Sequence, residues 1–329
     1  MNYSRTYTTV KNLAAPAMAV IALLLFLELF EPWRSNLWWR ELFNFGHWPL
    51  FGVIGLLLLS VTRLFPGLRR STLRPYVLAA AAAALLAALS EIVQIGGPRD
   101  ADIYDFLRDS SGILSFLLIR LSFDRQALES VPAVNRRGIR SILCVAAIGL
   151  FFISSLTIIR LSIAWMNRDR AFPVLFTFEH RWEATFFTSD NAGIAIVNDA
   201  MVGSGTTANQ VLQIDYRAAT YTGLILQDFF PDWSSFDTLS VTVYSLSQQP
   251  EQILFRVDDV YSRKDHLDRF ERVIPLPPGQ TDLRLPLFEI AHGPGGRLLD
   301  LKHVKRIVLF SADQPRRAFS LRFDNIWLH

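Results

Sequence analysis

The sequence predicts an α-helical transmembrane bundle of about five spans, followed by an all-β jelly-roll sandwich domain. Two observations carry this prediction. The long apolar runs all lie before about residue 166 of the 329-residue chain, whose composition is 51% hydrophobic. From about residue 173 onward the pattern changes to apolar and polar residues in alternation, interrupted by turns rich in glycine and proline. We therefore expect a membrane domain over residues 1–166 and a separate β-domain over residues 173–329.

The membrane domain is defined by stretches that approach the roughly 20 apolar residues needed to cross a bilayer. The candidate spans are residues 13–30, 48–64, 76–95, 106–121 and 142–163. Aromatic residues at 37–45, before the second span, are typical of the membrane interface. The alanines at 79–84, in the third span, allow neighbouring helices to approach closely.

The loops indicate how these spans are oriented. Arginines concentrate in the segments 63–74 and 120–140, which lie on the same side of a five-span bundle. Short loops rich in Arg and Lys face the cytoplasm. This places the N-terminus in the cytoplasm and the β-domain outside it. No small-residue cleavage site follows the first span, which favours an uncleaved anchor over a signal peptide.

Polar and ionisable residues are predicted to meet at the outer ends of the second, third and fourth spans. Such residues are costly in a membrane and by default indicate a functional site. The candidates for acid–base catalysis are Glu91, Asp102 and Asp105, and the candidate binding residues are His47, Gln94, Arg99 and Asp109. The alternative is structural: Asp105 caps the fourth span and Arg99 pairs with an aspartate. No metal site is predicted in this half.

These residues carry a resemblance to the VanZ-like membrane domain over about residues 44–121. The matching positions are His47, Glu91-x-x-Gln94, Pro98-Arg99-x-x-Asp102-x-x-Asp105 and Gly112. The chain departs from the family at Asn44-Phe45-Gly46, at Asp109 and at Phe116, where a second glycine is expected. The resemblance implies a bacterial cell-envelope protein and a link to glycopeptide antibiotic resistance. Together with the loop charges, it leads us to expect an inner-membrane protein whose C-terminal domain is periplasmic or extracellular.

The second half contains short alternating segments at regular spacing, which predict the strands of a sandwich. They are residues 211–216, 224–227, 239–244, 253–257, 272–276, 283–287, 306–310 and 319–328. Trp233 and Trp327 are expected in the core, because aromatic residues dominate such cores.

The final strand, together with Phe176-Thr177-Phe178-Glu179 and Asp232-Trp233, resembles galactose-binding-like jelly rolls, which include many carbohydrate-binding modules. That resemblance implies a domain that binds glycan or cell-wall material. Trp182 and Trp233 are candidate aromatic faces for a sugar. The polar segment 258–266 is the predicted rim for a ligand, and also for calcium. Its candidate binding residues are Asp258, Tyr261, Arg263 and His266.

Composition limits the remaining function classes. The net charge of +3 resides in short loops between apolar runs, which argues against nucleic-acid binding. Cys144 is the only cysteine, so no intramolecular disulfide forms. Known catalytic signatures are lacking, and whether the protein is an enzyme stays open. Three interpretations remain: a VanZ-like protein whose partners are membrane lipids and glycan or peptidoglycan, a membrane enzyme acting on a lipid-linked or glycan substrate, and a scaffold for other envelope proteins.

Overall fold

A computed structural model describes residues 14–26, 36–65, 67, 73–95, 102–129, 132–199, 209–219, 222–263, 266–311 and 317–329. The chain divides into two compact units, Met1–Arg160 and Leu161–His329. The helices in chain order are α1 Ala14–Phe26, α2 Leu37–Thr62, α3 Arg74–Gln94, α4 Ile103–Ser122, α5 Arg125–Glu129, α6 Ala133–Ala171 and α7 Leu287–Ala291.

The predicted count of five spans is not confirmed. Among the described residues, three helices are long and apolar enough to cross a membrane: α2, α3 and the Asn135–Ala171 part of α6. The described part of α1 is shorter than a span. Helix α4 has the length of a span, but Asp105, Arg108 and Asp109 in its first turns lower its hydropathy.

Helix α2 begins well before the predicted start of its span at residue 48. Asn36 caps it, because its side-chain oxygen accepts a hydrogen bond from the backbone N–H of Trp39 at 2.9 Å. The aromatic segment at 37–45 is therefore part of the helix. His47 accordingly lies inside α2 and is buried, rather than standing at the entrance of the span.

Small residues allow the helices of the first unit to pack closely. Ala79, Ala83 and Ala87 recur every fourth residue along α3 and are fully buried, in agreement with the predicted role of the alanine run. Helices α2 and α4 meet at Gly112, where an added Cβ atom would lie 2.0 Å from the carbonyl oxygen of Trp48. Close helix contact thus depends on glycine at this position.

Phe116 of α4 packs closely against α2. A Cβ atom on Gly52 of α2 would lie 2.4 Å from the Phe116 ring. The ring therefore occupies the space that a side chain at position 52 would need. Trp48 also packs against this ring, edge to face, at 5.1 Å between centroids.

The second unit is an antiparallel β-sandwich. Its strands are β1 Val174–Phe176, β2 Phe187–Asp190, β3 Ala192–Asn198, β4 Gln210–Tyr216, β5 Gly223–Gln227, β6 Thr238–Ser245, β7 Glu251–Asp259, β8 Phe270–Leu276, β9 Gly279–Pro286, β10 Val304–Ser311 and β11 Phe319–Leu328. The six-stranded sheet has the order β3-β4-β11-β6-β9, with β1 also paired to β11, and the five-stranded sheet has the order β2-β5-β10-β7-β8.

The predicted strands correspond to β4 through β11, so the β-sandwich is confirmed. The strands β1 to β3 were not predicted, because their residues alternate weakly. The segment predicted at 283–287 ends as a strand at Pro286, and α7 begins at the next residue. Trp233 is fully buried in the core, as expected, with Phe255 and Phe323.

Candidate functional site

A cleft of about 520 Å³ lies on the outer face of the six-stranded sheet. It crosses β1, β11, β6 and β9, and its walls combine aromatic, amide and charged side chains. The residues that line it include Ser240, Thr242, Gln280, Asp282, Arg284, Asn325, Trp327 and His329. We refer to this feature as the sheet cleft.

Two aromatic rings form one end of the sheet cleft. The ring of Trp327 is 41% exposed. The imidazole of His329 lies 3.7 Å from it between centroids, at 52°. The hydroxyl oxygen of Ser240 lies 2.6 Å from Nε2 of His329, which fixes the orientation of the imidazole. A flat apolar surface is thus held open to solvent next to hydrogen-bonding groups.

The exposure of Trp327 contradicts the prediction that it belongs to the core. Along β11 the odd-numbered residues Phe319, Leu321 and Phe323 point inward, and continued alternation would bury Trp327 as well. A register shift lies between Asp324 and Trp327. Within it, Asn325 has φ 47°, a left-handed conformation that asparagine tolerates. This bulge reverses the alternation, so that Ile326 is buried and Trp327 faces out.

Polar residues continue the sheet cleft across β6 and β9. Thr242 is paired in register with Asp282, and Ser240 with Arg284. The carboxylate of Asp282 accepts hydrogen bonds from Thr242 at 3.2 Å and from Gln280 at 3.1 Å. Arg284 has no ion-pair partner among the residues that the structure describes. Its guanidinium group therefore supplies hydrogen-bond donors in the same cleft as the Asp282 carboxylate and the rings of Trp327 and His329.

Asp258, a predicted rim residue, lies inside the five-stranded sheet rather than on the surface. Its side chain is 1% exposed and accepts two hydrogen bonds from Arg256, each at 2.6 Å. Arg306, on the neighbouring strand β10, pairs with the same carboxylate. These contacts describe a structural ion-pair network, and a role for Asp258 in ligand binding stays a prediction.

Asp259 anchors the rim loop. Its fully buried carboxylate accepts from Arg297 at 2.5 and 2.9 Å, and from the backbone N–H of Asp300 at 2.8 Å. The Ser262 hydroxyl donates to it at 2.8 Å. Burial raises the pKa of this carboxyl, but the hydrogen bonds from Arg297, Asp300 and Ser262 outweigh burial and hold the pKa below its ordinary value. Calcium binding at this rim stays a prediction. In this structure the Asp259 carboxylate is paired with Arg297.

Tyr261 and Arg263 are exposed at the rim. They line a second cavity of about 550 Å³ together with Leu267, Asp268 and Arg297. His266 begins a 3₁₀ turn, but its side chain lies outside the part of the chain that the structure describes. Ligand binding at this rim stays a prediction, and a second aromatic and polar surface lies on the six-stranded sheet.

In the helical unit the structure brings three of the predicted residues together. Nδ1 of His47 lies 3.0 Å from Oδ1 of Asp109, and both side chains are buried. Glu91 contributes a third group, and one ligand-type atom of each residue lies within 4.8 Å of the others. These residues belong to α2, α4 and α3, so the cluster exists only when the three helices are packed.

The remaining predicted carboxylates have partners of their own. The helix cap is Asp102 rather than Asp105: its side chain accepts from the backbone N–H of Tyr104 at 2.9 Å. Its own backbone N–H donates to Glu91 at 2.9 Å. Asp105 pairs with Arg108 at 2.8 Å. Gln94 is buried near the end of α3, whereas Arg99 lies outside the described residues.

Sequence reasoning missed the partner that Arg108 provides. This arginine joins Asp105 to Glu41 of α2, which lies 2.5 Å away. The spacing of three residues between Asp105 and Arg108 on one helix was the signal that could have identified the first pair. The contact between Arg108 and Glu41 depends on how α2 and α4 pack, so residue spacing within either helix could not predict it.

No protein-family profile and no curated protein matches the chain. Among solved structures it is similar to an exo-β-agarase, with 21% identity over 47% of this chain and 24% of the agarase, at a TM-score of 0.40. It is also similar to a family 11 carbohydrate-binding module from Clostridium thermocellum, with 17% identity over 47% of this chain and 93% of the module, at a TM-score of 0.37. A third similar structure is a xylan-binding domain of family 22, with 12% identity over 46% of this chain and 90% of that domain, at a TM-score of 0.32. The sheet orders, rather than these likenesses, define the fold.

Proposed function

We propose that this protein is a membrane-anchored protein of the cell envelope that binds a glycan in the sheet cleft. The observation that carries the proposal is the exposed pair Trp327 and His329, beside donors and acceptors on β6 and β9. Bulges that redirect a side chain are over-represented next to functional sites, and here the bulge turns a large aromatic residue toward solvent.

The chemistry of the sheet cleft suits a sugar. A pyranose ring presents C–H groups on its faces and hydroxyl groups around its edge. The Trp327 ring provides an apolar plane with defined geometry for the faces. Around it, Arg284 donates hydrogen bonds, Asp282 accepts them, and Gln280 and Asn325 do both. One carboxylate and one guanidinium offset each other, which favours an uncharged glycan over an anionic ligand.

The cellular setting belongs to the same proposal. The three apolar helices belong to an anchor of five spans in which α1 and α4 also cross. The arginines at 63–74 and 120–140 then lie on the same side as the N-terminus, which favours the cytoplasm for that side. The sandwich then lies outside the inner membrane of a bacterium, facing the cell wall. The resemblance of residues 44–121 to VanZ-like domains suggests the link to glycopeptide resistance, and it rests on motif spacing alone.

Acid–base catalysis by Glu91, Asp102 and Asp105 has less support. Asp102 caps a helix, and Asp105 is held in an ion pair with Arg108. Carboxylates engaged in this way are poorly placed to exchange protons with a substrate.

The test is a binding titration with the full-length chain in detergent micelles. The probes are mixed-linkage β-glucan oligosaccharides, xylan oligosaccharides and soluble peptidoglycan fragments. We expect one of them to bind, and Trp327→Ala to weaken binding by at least ~10-fold, which corresponds to about 1.4 kcal/mol. Arg284→Gln should weaken binding less, since a single neutral hydrogen bond replaces a charged one.

The matched control is Tyr261→Ala, which removes an aromatic ring that is also exposed but lies on the rim loop. It should leave affinity unchanged. Equal losses from Trp327→Ala and Tyr261→Ala would contradict a site in the sheet cleft. Binding of none of these glycans would leave protein contacts as the function of the sandwich.

A further inference from the structure

Three side chains from three helices converge inside the helical unit, and their chemistry is that of a metal site. His47 on α2, Glu91 on α3 and Asp109 on α4 each offer a ligand atom, and these atoms lie within 4.8 Å of one another. We propose that these residues form a binding site for a divalent transition-metal cation. The proposal is independent of glycan binding by the sandwich.

The geometry is close to that of a bound ion. Ligands at about 2.0–2.2 Å from a zinc ion, in tetrahedral arrangement, lie about 3.3–3.6 Å from each other. Nδ1 of His47 and Oδ1 of Asp109 are already 3.0 Å apart. The Glu91 ligand atom lies within 4.8 Å of the other two, so a bound ion would draw its carboxylate inward. Because each residue comes from a different helix, the ion would also tie the helices together.

Unsatisfied buried oxygens provide the second, independent observation. The side chain of Asp109 is 0% exposed, and its Oδ2 atom has no hydrogen-bond partner among the described residues. Oε1 of Glu91 is also buried and lacks a partner in the same part of the chain. An unpaired carboxylate oxygen away from water is strongly unfavourable. A cation between the two carboxylates would satisfy both oxygens.

The nearest arginine, Arg108, does not neutralise the carboxylates of Glu91 and Asp109. Arg108 lies one residue before Asp109, but it is engaged by Asp105 at 2.8 Å and by Glu41 at 2.5 Å. It therefore compensates those two carboxylates rather than Glu91 and Asp109. With His47 neutral, as a metal ligand must be, the two carboxylates balance a divalent ion.

The donor set indicates the class of metal. One imidazole nitrogen and two carboxylate oxygens suit zinc, manganese or ferrous iron better than a soft ion such as copper(I). Three protein ligands leave at least one coordination position open for water or another ligand. The backbone N–H of Asp102 donates to Oε2 of Glu91 at 2.9 Å and so orients the carboxylate, as outer-shell partners do in metal sites.

The experiment uses the full-length chain in detergent, stripped with a chelator and then dialysed against zinc, manganese or ferrous ions in turn. We expect one equivalent of one of these metals per chain by elemental analysis, and a rise in melting temperature on loading. Cobalt(II) should give the visible absorption of a nitrogen and oxygen site without thiolate bands. Asp109→Asn and His47→Gln should each lower affinity by at least ~100-fold, more than the 10- to 100-fold typical of outer-shell changes.

The matched control is Asp105→Asn, which removes a carboxylate one turn from Asp109 on the same helix and outside the triad. It should bind metal like the wild type. If Asp109→Asn fails to fold, Glu91→Gln serves instead, since Glu91 lies less deeply in the unit. Absence of bound metal in the wild type, or an equal loss in Asp105→Asn, would overturn the proposal.

Discussion

Replacing Asp259 by asparagine tests the role of the rim loop as a fixed structural element. The carboxylate is fully buried and receives two hydrogen bonds from the guanidinium of Arg297. It also accepts from the N–H of Asp300, the N–H of Tyr261 and the Ser262 hydroxyl. Asparagine keeps one oxygen and turns an NH₂ group toward donors, so Arg297 loses its main counterion.

The size of the effect follows from burial. Removing one partner of a buried ion pair typically costs 3–5 kcal/mol, and because Arg297 remains 28% exposed we expect about 3 kcal/mol. At roughly 2–4 °C per kcal/mol for a domain of this size, the sandwich should melt about 6–12 °C lower.

The loss should depend on pH in a defined direction. Because the pKa of Asp259 is lowered in the folded protein, its carboxylate stabilises the fold above its ordinary pKa of 3.8, and this stability is lost as the pH falls through the lowered pKa. The difference in melting temperature between wild type and Asp259→Asn should therefore be largest near neutral pH and become smaller in strong acid.

The assay is thermal unfolding of the full-length chain, followed by circular dichroism at a wavelength dominated by β-structure, so that the transition of the sandwich is observed. The control is Asp268→Asn, which removes the more exposed partner of the same arginine, at 2.5 Å, and should cost clearly less. Equal melting temperatures for wild type and Asp259→Asn at neutral pH would refute the reasoning.

Three further predictions concern helix packing, the buried Glu183 of the sandwich, and membrane topology. Gly112→Ala should destabilise the helical unit by about 1–3 kcal/mol in detergent melts, because its Cβ would meet the Trp48 carbonyl, whereas Gly46→Ala, with nothing within 4 Å, should not. Glu183→Ala should cost about 1–3 kcal/mol, since Oε2 of Glu183 accepts the backbone N–H groups of Thr177 and Phe178, and alanine leaves both unpaired. Burial raises the pKa of Glu183, so the wild type loses stability as the pH rises between the ordinary and the raised pKa, and the variant should not. A periplasm-dependent reporter fused after His329 should be active, and a reporter active only in the cytoplasm would contradict the proposed orientation.

The fold class was predictable because two periodicities differ along the chain. Long apolar runs and alternating strands are local signals, and they located the helices and the strands β4 to β11. The start of α2 was not predictable from hydropathy, since an asparagine cap and an interfacial aromatic segment precede the apolar run. The count of five spans stays a prediction for a related reason: α4 contains charged residues, and one of their partners lies on another helix.

The candidate site was only partly predictable. Motif spacing identified His47, Glu91 and Asp109, whose convergence follows from helix packing. The sequence did not predict the sheet cleft, because strand alternation assigns Trp327 to the core. Only the bulge at Asn325 turns this side chain outward. An Asp-Asn pair inside a strand is the local signal for such a bulge. Its partner residues on β6 and β9 are remote in sequence, and the sheet register alone brings them beside Trp327.

The central claim is that the sheet cleft binds a glycan, and its most direct test is an experimental structure of the chain with a bound oligosaccharide. The ligand would be whichever glycan binds in the titration. We predict a sugar ring stacked on Trp327, with hydroxyl groups within hydrogen-bond distance of Arg284 and Asp282. A sugar bound instead in the cavity between Tyr261 and Arg297, with the sheet cleft empty, would contradict the account.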